Sequence, residues 1–371
     1  MKSGLCIYIL VILTLAVADH RFLKLVVEGL PEEYNSLTQP PAVYIFGDST
    51  VDVGTNNHLK DCGTKADSPY YGIDFDFSKP TGRFSNGHNI ADLIVRHLGY
   101  KRSPPPFLSL ISRESSFKSA ILRGANFASG GSGIFDQTGN KTYKEVVPLR
   151  KQIQQFATVC GNITEVLGKA KADELISKSM YIISVGSNDI FEYSANATVL
   201  PDIFMANLIE AYTIQLEELF NLGARKFGVL SVGAIGCVPI MRALDHNGNC
   251  VDKVNQLAQA FYAVVSSLLQ QFSSQFQGFT YSLGNLYDVT MSTILNSVVE
   301  GLTDVRTPCC GDANTTCKIG VKLCANRNDY LFWDMYHPTQ VASDRAARVL
   351  LFSEAAEFVK PINISRLAVM P

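Results

Sequence analysis

Four short apolar runs limit what this chain can fold into: Ala42–Phe46, Met180–Val185, Lys226–Val232 and Phe279–Leu283. Each has the length of a strand, and most positions are apolar, as in strands covered on both faces. Helical segments stand between them. Ile90–Leu98 has helical spacing and stops at Gly99, and Leu208–Leu222 is closed by Gly223. Val254, Leu257, Ala258, Phe261, Val265, Leu268, Leu269 and Phe272 keep a period of about 3.6 residues. Strands alternating with amphipathic helices predict an α/β fold, a three-layer α/β/α sandwich around a mostly parallel sheet. No internal repeat and no long flexible linker breaks the pattern, so residues 41–371 read as a single domain.

In such sheets functional groups gather beyond the carboxyl ends of the strands. The first run leads straight into Gly47-Asp48-Ser49, and the second ends at Gly186-Ser187-Asn188-Asp189. Residues 54–90, rich in Gly, Asn, Asp and Tyr, read as a long ordered loop, and Gly124–Gly133 (GANFASGGSG) as a glycine-rich one.

The amino terminus is different in kind. Lys2 precedes an apolar segment, Leu5 to Val17, and then Ala16-Val17-Ala18. This predicts a secretory signal peptide over residues 1–18, since the segment is shorter than the ~20 residues a spanning helix needs. Residues 19–40 read as a polar N-terminal arm. The expectation is a soluble mature protein, secreted to the extracellular space or apoplast, with the vacuole as the other destination. With 47% apolar residues the chain can bury a large core, and a formal net charge of −2 gives no reason to expect nucleic acid or an anionic membrane as partner.

Removing Cys6 with the signal leaves eight cysteines: Cys62, Cys160, Cys237, Cys250, Cys309, Cys310, Cys317 and Cys324. An even number in a secreted chain points to disulfides. Cys237 and Cys250 bracket a polar loop and are expected to pair. The cluster from Cys309 to Cys324 lacks the C-x-x-C spacing and nearby histidines of zinc sites, so disulfides are expected there and no metal. Sequons at Asn140, Asn162, Asn196, Asn314 and Asn363 predict glycosylation.

A serine hydroxyl needs a base to take its proton, and the base needs a carboxylate to orient it. Among six histidines, His337 in Trp333-Asp334-Met335-Tyr336-His337-Pro338 carries a carboxylate three residues earlier, within reach on one helical turn. His97 and His246 read as structural or solvated, and His58 and His88 have no evident orienting partner. Acyl chemistry also needs donors for the oxyanion. The Ser49 N–H, a glycine N–H in GANFASGGSG and the Asn188 amide are the candidates. Asp48 reads as loop support and Asp189 as a cap of the segment after Asn188.

Together these segments resemble the GDSL (SGNH) hydrolases, specifically the plant-type GDSL esterase/lipases. The resemblance runs from Val43 to Leu350 through FGDSTVDVGTNN, GRFSNGHNIADLI, GANFASGGSGI, VGSNDI, GAIGCVP, CCG and YLFWDMYHPTQ. It implies a flavodoxin-like sandwich, a nucleophile at Ser49, an Asp334–His337 pair completing the triad, an amide donor at Asn188 and a glycine donor. The glycine is placed at Gly130, with Gly131 adjacent. Thr50 stands where the family name has leucine. An α/β-hydrolase elbow would need glycine two positions after the serine, where this chain has Val51.

The expected activity is hydrolysis of acyl, lipid or cell-wall esters through an acyl-enzyme at Ser49, with no cofactor. Two other readings stand beside it: an acyltransferase passing the same acyl group to an alcohol or sugar, and an inactive secreted glycoprotein that binds esters.

Overall fold

The computed structural model describes residues 39–371; the proposed signal peptide and nearly all of the N-terminal arm lie outside them. The apolar runs form parallel strands β1 (Val43–Gly47), β3 (Met180–Ser184), β4 (Lys226–Leu230) and β5 (Thr280–Gly284). A further strand, β2 (Gly124–Asn126), opens the segment that reads from sequence as a glycine-rich loop. A two-stranded lobe of β6 (Asp304–Pro308) and β7 (Tyr330–Phe332) follows, and β8 (Val359–Lys360) closes the main sheet antiparallel to β5. The sheet order is β2-β1-β3-β4-β5-β8. Val43 pairs with Gly124 on one side and Met180 on the other, so the order reverses between β1 and β3. Doubly wound sheets open a crevice at that point.

The eight helices that matter here are α1 (Ile90–His97), α2 (Leu149–Leu167), α3 (Ser187–Ala195), α4 (Pro201–Asn221), α5 (Asp252–Gln275), α6 (Leu286–Leu295), α7 (Gln340–Phe352) and α8 (Ile364–Val369). Sequence spacing locates α1 and α5 closely. It places the start of α4 too late, because the helix begins at Pro201, whose fixed φ and missing N–H suit a first turn. The expected three layers are present. Strand side chains alternate, so Tyr44, Phe46, Tyr181, Ile183, Phe227 and Val229 face one way, into a core shared with α2, α4 and α5. Val43, Ile45, Met180 and Ile182 face the other way, against α1, α7 and α8. The first face is aromatic: Phe46 stacks on Phe127 at 5.0 Å and meets the edge of Phe156 at 5.8 Å. The second is aliphatic. Both layers leave the carboxyl ends of the strands open.

Candidate active site

Ser49 sits two residues beyond β1, on a turn fixed by its neighbours. Gly47 has φ +141°, and a Cβ there would lie 1.9 Å from the Ser184 carbonyl oxygen, so only glycine lets β1 run this close to β3. Buried Gln152 accepts the Gly47 N–H through Oε1 and donates Nε2 to the Gly47 carbonyl, both at 2.8 Å. The Asp48 carbonyl accepts the N–H groups of Val51 and Asp52, and the Asp48 carboxylate accepts Thr50 N–H at 3.0 Å. Asp48 is thus loop support, as expected. Its burial pushes the carboxyl up to about 6.

The structure brings Ser49, His337 and Asp334 together across 288 residues of sequence: Ser49 Oγ lies 2.8 Å from His337 Nε2. The other ring nitrogen, Nδ1, is 2.8 and 2.9 Å from the two Asp334 carboxylate oxygens. Asp334 Oδ1 also accepts the N–H groups of Tyr336 and His337, each at 2.8 Å. Burial pushes the Asp334 carboxyl up, but the imidazole beside it and these N–H donors outweigh that, and the net direction is down. An ionised carboxylate has no proton to donate, so Nδ1 carries the hydrogen and Nε2 is left to accept from Ser49. The arrangement can move a proton from the hydroxyl to the ring.

Two supports of this pair escape sequence reasoning. Tyr71, in the long loop, donates its hydroxyl to Asp334 Oδ2 at 2.8 Å. Phe84 lies against the His337 ring, centroids 4.9 Å apart. Both join the satellite core beneath Trp333 and the cysteine-rich lobe. Nothing in the sequence separates them from the loop's other aromatics, Tyr70, Phe75 and Phe77.

The donors need one correction. Gly130, placed from sequence as the oxyanion glycine, gives its N–H to Asp52 Oδ2 at 2.9 Å, so that N–H is already taken. Gly131 lines the cleft instead. Its φ of +83° reaches the left-handed region glycine favours. Among the described residues, neither the Ser49 N–H nor the Gly131 N–H has a hydrogen-bond partner. Asn188 stands in the first turn of α3 and donates Nδ2 to the Ser132 carbonyl at 2.8 Å, which fixes the amide and leaves its second hydrogen free. Asp189 does not cap α3. It accepts Ile134 N–H, Phe135 N–H and the Thr138 hydroxyl at 2.9, 3.1 and 2.7 Å, tying the glycine-rich loop to the helix.

Asp52 is the other residue the sequence leaves unassigned. Its Oδ1 accepts Gly54 and Thr55 N–H at 2.7 Å each, and Oδ2 holds Gly130. Burial raises both Asp52 and Asp189 to about 6 despite these hydrogen bonds.

Cys237–Cys250 is a disulfide, as expected, and the cysteine cluster forms Cys309–Cys324 and Cys310–Cys317. Cys62 and Cys160 do not join them: both are free thiols, and burial pushes Cys160 up to about 12. Among the described residues no group of His, Cys, Asp and Glu is placed to hold a metal, and no helix is long and apolar enough to cross a membrane. Of the sequon asparagines, Asn140, Asn196 and Asn314 are exposed and Asn162 is half-buried. Asn363 is buried and caps α8, accepting Arg366 N–H at 2.9 Å, so its side chain has no room for a glycan.

Ser49, His337 and Asn188 open onto one cleft of about 570 Å³ along the carboxyl edge of the sheet, a size suited to a small organic ligand.

Residues 43–350 match the family model described as GDSL-like Lipase/Acylhydrolase. Among curated proteins, the chain is 34% identical to GDSL esterase/lipase At4g16230 of Arabidopsis thaliana, over 88% of this chain and 91% of that protein. It is 35% identical to GDSL esterase/lipase At2g23540, over 88% and 87%, and 33% identical to GDSL esterase/lipase 6, over 88% and 90%, both also of Arabidopsis thaliana. The chain belongs to the GDSL family of ester hydrolases.

Proposed function

We propose that this GDSL-family chain cleaves carboxylic esters through an acyl-enzyme on Ser49, with His337 as the base and Asp334 orienting it. The observation that carries this reading is the unbroken line from Ser49 Oγ to His337 Nε2, and from Nδ1 to Asp334. As Ser49 Oγ bonds to the ester carbonyl carbon, its proton passes to Nε2, and the imidazolium is stabilised by the carboxylate. The carbonyl oxygen becomes an oxyanion. The N–H groups of Ser49 and Gly131 and the free amide hydrogen of Asn188 are the donors for it. On collapse the C–O bond to the alcohol breaks, and His337 gives the proton to the leaving oxygen. Water then repeats the sequence: it loses a proton to Nε2, attacks the acyl carbon, and the acid departs as Ser49 Oγ takes the proton back.

This reading treats residues 41–371 as one catalytic domain, supported by core clusters that draw on residues from Ala42 to Ala368. It also takes the chain to be secreted, with glycans at Asn140, Asn196 and Asn314. Three disulfides support an oxidising compartment.

The test is Ser49→Ala. Turnover of a short-chain ester should fall by about 10⁴-fold or more, with the thermal transition retained. A folded variant that keeps wild-type turnover would remove Ser49 from the reaction.

A further inference from the structure

The cleft is not uniform along the sheet edge. Beside Gly131 it is bounded by polar groups: Thr64 of the long loop, Thr142 and Tyr143 of the short helix Asn140–Tyr143, and Glu192 of α3. On the β4 and β5 side the wall changes character. Val238, Ile240 and Met241 follow β4, Leu286 and Val289 belong to α6, and Leu331 and Phe332 come from β7. Several of these also pack together as a small apolar cluster under the cleft. The room in this arm comes from short side chains: Gly233 after β4, Thr290 on α6, and Ala342 and Ala346 on α7. Ala342 and Ala346 are four residues apart, so one face of α7 lines the arm. A Cβ on Gly233 would already lie 3.2 Å from Thr290 Oγ1, so the arm is narrow there.

Resting on the Ser49 reading, we infer that this apolar arm holds the acyl chain of the ester, and that Ala346 and Thr290 set the chain length it accepts. The substrate class is an ester of an unbranched aliphatic acid with a polar alcohol, whose alcohol half faces Tyr143 and Glu192. The arm is walled mostly by apolar residues, with the hydroxyls of Ser231, Thr290, Thr293 and Ser343 but no charged side chain from β4, α6 or α7. So narrow an arm excludes branched or charged acids, because a charge there would lose its water without gaining an opposite charge. Each methylene that enters the arm leaves water, so kcat/KM should rise about fourfold per added methylene until the arm is full.

The experiment uses p-nitrophenyl esters from acetate to decanoate, alongside alkyl acetates from ethyl to decyl. The variants are Ala346→Phe on one wall and Thr290→Leu on the other, each checked for a cooperative thermal transition. The expected result is that either variant lowers the decanoate-to-acetate ratio of kcat/KM by about tenfold or more, while the alkyl acetate series keeps its profile. Folded variants with unchanged acyl ratios would overturn the assignment, as would truncation of the alkyl acetate series in place of the acyl series. Failure of the Ser49 reading looks different: Ser49→Ala would then retain turnover on every ester, whatever the chain-length profile.

Discussion

Asp52 and Asp334 are both buried near the Ser49 turn, yet the surroundings drive them in opposite directions. Asp52 is fully buried and faces backbone N–H donors, those of Gly54, Thr55 and Gly130 among them. Burial wins there, and its carboxyl rises to about 6. Asp334 is also almost fully buried, but it faces the His337 imidazole, and its carboxyl is held below the usual value. Neutral donors do not offset the cost of burying a charge in the first case, and a partner that can carry positive charge does in the second. The two carboxylates therefore do different work. In the proposed reaction Asp334 serves proton transfer, and Asp52 serves shape, holding the Gly130 N–H of the glycine-rich loop beside the cleft.

The sharpest way to break this contrast is Asp334→Asn. An amide cannot stabilise imidazolium, and it can turn the ring to the wrong tautomer, so kcat should fall by about 10⁴-fold while the fold persists. Asp52→Asn should do less. Asn has a single carbonyl oxygen, so either the Gly130 N–H or the Gly54–Thr55 pair would face an NH₂ group. We expect about 1–3 kcal/mol of lost stability, read by denaturant unfolding, and about 10²-fold in kcat through the displaced donor. The pH dependence of kcat should keep its wild-type form in Asp52→Asn. If Asp52→Asn instead matched the loss of Asp334→Asn and changed that pH profile, the division of labour would be wrong.

The smallest effect is on stability against pH. Asp48, Asp52 and Asp189 stand at about 6 and Glu300 at about 7, all raised first by burial. A carboxyl raised on folding binds more protons folded than unfolded, so stability falls as pH climbs from the ordinary carboxyl value towards 6 or 7. Asp334 has the opposite sign: its contribution is present above the ordinary carboxyl value of 3.8 and lost as pH drops through its folded value. Tm should therefore be a few degrees higher near pH 5 than near pH 7.5, and Asp52→Asn should flatten that slope. A Tm that climbs steadily to pH 7.5 would contradict the raised values.

Much of this was legible in the sequence where the signal is local. β1, β3, β4 and β5 announce themselves because strands covered on both faces are apolar runs. Asp334 and His337 are close in sequence, so their partnership can be read without a fold. Ser49 could be placed at a strand end, but only folding brings it to His337. Tyr71, Phe84 and Asp52 were not legible, because each acts through contacts made by a long loop closing over the site. The choice between Gly130 and Gly131 fails for a related reason: two adjacent glycines differ only in which N–H a distant carboxylate captures. Strand β2 was hidden because it is three residues long and starts with glycine.

The central claim is that the Ser49 hydroxyl is the group His337 activates. Reaction with a fluorophosphonate, followed by peptide mass mapping, tests it directly. The account predicts a single adduct on the peptide carrying Ser49 and none in folded Ser49→Ala. An adduct on another residue, or labelling that persists in that variant, would contradict it.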